Sequence, residues 1–85
     1  MARDGVMPPV ENRDRTEFGH LFKWNAQTRE WETTTGRKVF VRAPDTLNLF
    51  WLVRVPSTGV NQPLTGEDAE ERAFCIAEVY SRQQD

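Results

Sequence analysis

One cysteine and one histidine stand in the whole chain, fifty-five positions apart. That scarcity excludes an internal disulfide framework and a closed zinc site, which needs four converging thiolates or imidazoles. It also leaves nucleophilic catalysis without a base unless folding happens to bring His20 beside Cys75 or a serine. The expected roles are bland: His20 on the surface or capping the first strand, and Cys75 as a small apolar group on a helix. Glycine-rich phosphate loops are missing too, since Thr35-Gly36-Arg37-Lys38 lacks the flanking glycines of a P-loop. A hard-ion loop would need carboxylates around a glycine turn, whereas Glu67–Glu71 falls in a helical pattern that points its side chains apart. The expectation is a non-enzymatic chain with no metal and no cofactor.

Long apolar runs are absent. Nothing approaches the length that spans a bilayer, and no apolar stretch follows Met1. With a single cysteine, this leads to the expectation of a cytoplasmic protein in a reducing compartment. Net charge is also scarce, at −2, which argues against a protein held on DNA by phosphate attraction. The distribution is uneven: residues 1–42 carry eight Lys/Arg against six Asp/Glu, and residues 43–85 carry three against seven.

Aromatic residues are plentiful, at 11% with three Trp and five Phe. In 85 residues there is room for one domain with a small core, so a few large side chains must supply much of the burial. Self-association would help such a core. The most apolar stretch is Leu47–Val55, in which Leu47, Leu49, Trp51, Val53 and Val55 alternate with Asn48, Phe50, Leu52 and Arg54. Period two with β-branched and aromatic residues predicts a strand with the first set facing the core. A helix starting at Asp45 is the competing reading, disfavoured by the closing Val-Arg-Val-Pro.

Around this spine, residues 1–17 mix proline, glycine and both charges and read as an irregular arm, with Val6, Met7 and Val10 available to pin it to the fold or to a neighbouring chain. The domain proper is then 18–85. Leu21–Trp24 and Trp31–Thr34 read as a hairpin through a turn opened by Asn25, with a Trp24–Trp31 cross-strand pair. Thr35-Gly36 makes the next turn, Arg37–Ala43 alternates as a third strand, and Val60–Leu64 with Pro63 reads as a connection. Ala69, Ala73, Ile76, Ala77 and Tyr80 mark one helical face. A helix over about Gly66–Arg82 follows, with Thr65 as N-cap, Phe74 off the stripe as a second contact, acidic residues first and Arg82 last. The predicted fold is α+β: a small antiparallel sheet of about four strands, one C-terminal helix on one face, and an N-terminal arm.

If Val39, Val41, Leu49, Trp51 and Val53 face the helix, then Phe40, Phe50 and Leu52 lie on the other face, flanked by Lys38, Arg42 and Arg54. An apolar centre with a cationic rim is the expected contact surface for an acidic protein partner or a second copy of the chain, unless the arm covers it. Glu67, Glu70 and Glu71 form a second, acidic patch. The function expected is a protein-binding module, an inhibitor or accessory factor whose size suits a viral or mobile-element product. The alternative is single-strand nucleic-acid binding, with Arg37, Lys38, Arg42 and Arg54 interleaved with aromatics as a basic platform.

Overall fold

Six strands follow one another as an antiparallel meander among the residues described, 13–83, and one helix closes one face of the sheet in this computed structural model. The strands are β1 (Arg15–Glu17), β2 (His20–Asn25), β3 (Glu30–Thr33), β4 (Phe40–Arg42), β5 (Trp51–Val55) and β6 (Val60–Leu64), and the helix is α1 (Ala69–Arg82). The α+β class and the single C-terminal helix match expectation; the strand count does not. Val6, Met7 and Val10 lie outside the described residues. No described helix is long and apolar enough to cross a membrane.

The two extra strands sit where local composition argues against them. β1 lies within the stretch read as an arm, and it pairs with β2 across a two-residue turn, Phe18-Gly19, with both residues at positive φ. That geometry matches the twist of a tight hairpin. β6 contains Pro63, yet pairs in register with β5, Trp51 opposite Leu64 and Val55 opposite Val60. As the edge strand, β6 tolerates a residue that cannot donate to a further neighbour.

The central hairpins form as their turn chemistry dictates. Asn25 accepts hydrogen bonds from Gln27 and Thr28 backbone N–H at 3.0 and 3.3 Å, closing the β2–β3 turn. Trp24 stands opposite Trp31, with ring centroids 4.7 Å apart. Thr33, fully in the interior, holds the β3–β4 loop: its hydroxyl donates to the Arg37 carbonyl and accepts from the Val39 N–H.

One sheet face carries the core. Phe22, Val39, Val41, Val53 and Val55 are wholly buried against α1, whose Ala69, Ala73, Ala77 and Ser81 succeed one another at four-residue steps. These small side chains let the helix settle closely on β5. Phe74, off the alanine stripe and expected as a second contact, is wholly buried. Its ring meets Phe22 at 5.0 Å, Trp31 at 5.5 Å and Trp51 at 6.0 Å. Burying such a ring contributes about 1.5–3 kcal/mol. The helix opens at Asp68 rather than Thr65, without a side-chain cap, and Cys75 is exposed rather than packed.

The C-terminal end of α1 is tied to the β3–β4 loop. Arg37 N–H donates to the Ser81 carbonyl at 2.9 Å, and Gly36 sits beneath it at φ +73°. A Cβ at Gly36 would stand 2.0 Å from the Ser81 carbonyl oxygen. Neither the backbone angle nor the space admits a side chain. Gly36→Ala is therefore expected to destabilise the fold by about 3 kcal/mol, read as the shift in denaturant midpoint at unchanged slope.

Candidate interaction site

The sheet face away from α1 bears the residues that the sequence marks for contact. Phe40 stands opposite Arg54, and Arg42 opposite Leu52. Arg54 lies over the Phe40 ring at 4.4 Å and grips Glu30 with two hydrogen bonds, 2.8 and 3.2 Å. Glu30 is buried at 4% exposure, so this pair seals the middle of the face. Lys38 reaches Glu32 at 3.9 Å, and Arg42 reaches Asp45 at 3.4 Å. Each cation of the expected rim thus stands against a carboxylate, while Phe40, Phe50 and Leu52 are half-buried.

The acidic patch is built at the start of α1. Glu67, Glu70 and Glu71 are exposed there, and Glu70 lies 2.5 Å from the Arg15 guanidinium. Arg15 also lies 4.3 Å from the Phe74 ring centroid and pairs with Glu17 at 3.0 Å, buckling β1 to the helix. His20 faces Glu78 at 3.4 Å. No described group of three or more His, Cys, Asp or Glu could hold a metal ion.

The most exposed large apolar side chains lie elsewhere. Leu47 and Leu49, expected to face the core, are 86% and 80% exposed on the β4–β5 loop, because β5 begins only at Trp51. The reason is Asp45. One oxygen of its carboxylate accepts the Leu47 and Asn48 N–H groups, both at 2.8 Å, and its own N–H donates to the Asn48 carbonyl at 2.8 Å. Aspartate offers the backbone this local alternative to a strand ladder, and Pro44 before it lacks a donor for continued pairing. The Asn48 N–H first, then that of Leu47, with help from Arg42, holds the Asp45 carboxyl below its ordinary pKa against a smaller desolvation effect.

Beside this loop runs a groove of about 530 Å³, lined by Arg13, Trp24, Arg29, Arg42, Pro44 and Asp45 among others. Arg13 is placed by its neighbours: its carbonyl accepts the Trp31 indole N–H at 2.6 Å, and its guanidinium lies 5.0 Å from the Trp24 centroid. Arg29 ends the β2–β3 turn at φ +60°, its N–H donating to the Asn25 carbonyl. The β5–β6 turn has the same form, with Gly59 at φ +78° donating to the Val55 carbonyl. One turn uses glycine where the backbone is left-handed; the other keeps an arginine there. Pro44-Asp45 and the contrast of Arg29 with Gly59 are the sequence signals that could have marked this region. The chain matches no protein-family model, no curated protein and no solved structure.

Two outcomes follow. Arg29→Gly is expected to stabilise the fold by about 1 kcal/mol, seen as a rise in melting temperature. On acid titration, the Leu47 and Asn48 amide resonances should hold to below the ordinary carboxylate range. A group with a lowered folded pKa contributes its stability at neutral pH and loses it as pH falls through that folded value. The loop should therefore loosen at a pH below that at which an ordinary aspartate titrates, and Asp45→Asn should remove the transition.

Proposed function

We propose that this chain is a small non-enzymatic protein-binding module, an inhibitor or accessory factor, that docks through its β4–β5 loop. The observation that carries the reading is the exposure of Leu47 and Leu49 on a loop fastened by three short hydrogen bonds at Asp45. Two leucines in water cost the isolated chain the burial that a partner would supply, about 1.5–3 kcal/mol each. A loop already fixed in shape loses little further conformational freedom on association. The Arg-lined groove continues this surface, because Pro44 and Asp45 belong to both.

The leucines also favour a protein over single-stranded nucleic acid, since aliphatic side chains offer no ring on which bases stack. The sheet-face residues Lys38, Phe40, Arg54 and Leu52 keep a supporting role in this reading. Their charges are engaged within the chain, and they stiffen the sheet from which the loop projects.

The test is Leu47→Ser with Leu49→Ser. Folding should be unchanged within about 0.5 kcal/mol, as for surface positions generally. Affinity for the protein that co-purifies with the intact chain should fall by about a hundredfold or more, measured by calorimetry. Retained affinity overturns the reading. So does a stable dimer in light scattering that the double substitution dissolves, which would make a second copy the occupant.

A further inference from the structure

We propose that Arg42 is a positioning residue of the docking loop rather than a contact residue: its guanidinium orients the Asp45 carboxylate, which in turn fixes the backbone that presents Leu47 and Leu49. This rests on the docking reading above and names what sets the site in place. Sequence alone groups Arg42 with Lys38 and Arg54 in one cationic rim, and the structure separates them. Lys38 and Arg54 meet Glu32 and Glu30, carboxylates of β3. Arg42 meets Asp45, three residues on, inside the loop that carries the leucines.

The two oxygens of Asp45 have separate tasks. Oδ1 accepts the Leu47 and Asn48 N–H groups, both at 2.8 Å, and Oδ2 accepts from Arg42 Nη2 at 3.4 Å. The last torsion of an aspartate is broad and has little preference of its own. A donor on Oδ2 narrows that torsion and keeps Oδ1 turned to the backbone. Arg42 is placed for this because it ends β4, where it stands opposite Leu52 of β5. The guanidinium thereby transmits the position of the sheet to the loop across Ala43 and Pro44 alone.

Magnitude separates this role from a general structural one. The two side chains are 37% and 33% exposed, and a pair so open to water adds little to global stability. A loop opens locally at far smaller free energy than the whole domain, so a weak interaction can change its order while the melting temperature stays put.

The experiment is amide hydrogen exchange on the full chain and on Arg42→Met, which keeps an aliphatic stem and loses the charge. The Leu47 and Asn48 amides are expected to exchange about threefold faster in the variant. The amides of β4, β5 and α1 and the melting temperature should not change. Arg42→Lys should recover part of the protection, since an ammonium can reach Oδ2 as a point charge but lacks the planar fork. Affinity for the protein that co-purifies with the intact chain should fall by no more than the same factor, at the same salt dependence. Unchanged exchange at Leu47 and Asn48 overturns the proposal. So does a larger loss of affinity with a shallower salt dependence, which makes Arg42 a contact residue. Affinity that ignores the Leu47→Ser/Leu49→Ser substitutions removes the docking reading instead, and the exchange result, which needs no partner, tells the two failures apart.

Discussion

The fold depends on Phe74. A sheet of six strands extends about 24 Å from edge to edge, while one helix is about 10 Å across. A single helix therefore cannot cover the sheet with small residues alone. The alanine line of α1 brings it down onto β5, and the large ring of Phe74 fills the space beside that line. There it meets Phe22, Trp31 and Trp51, which reach from β2, β3 and β5. Trp24 extends the aromatic layer to the end of the sheet. The helix is then secured at both ends, by Arg15 to Glu70 at its start and by the Ser81 carbonyl to the Gly36-Arg37 turn at its close.

The remaining face has no helix, and the chain closes its middle with its own polar side chains. Burying Glu30 would be costly if it stood alone; the Arg54 fork compensates it and shields Phe40 in the same stroke. The most exposed large apolar side chains among the described residues are those of the β4–β5 loop, with the groove beside it. The stable part of the molecule thus serves as a frame. The part not explained by folding, two leucines in solvent and an arginine in a glycine's conformation, is gathered at one end.

The sequence was most legible where local and global preferences agree. Asn25 opens a turn, Trp24 faces Trp31, Gly36 bends the chain, and the alanine spacing reports α1. It misled where a local motif overrode a periodic one. The alternation of Leu47 and Leu49 with Trp51 and Val53 is that of a buried strand, but the Asp45 carboxylate captures two backbone donors and delays β5 to Trp51. β1 was hidden because a bulky Phe18 occupies a left-handed turn position, and β6 because Pro63 is tolerated only at an edge. Of the candidate site, the sequence showed Arg42 and the expectation of an apolar contact with basic neighbours. It could not show that Arg54 and Lys38 meet Glu30 and Glu32, because those pairings span strands. For the same reason Arg13, Trp24 and Arg29 converge without any shared motif.

The central claim is that the leucine loop is a preformed docking element rather than a loose end. Backbone ¹⁵N relaxation on the isolated chain tests it most directly. The account requires order parameters for Leu47 and Asn48 near the rigid value of about 0.85, level with β4 and β5. Values below about 0.6 would contradict it, since leucines on a mobile tether are exposed without being presented.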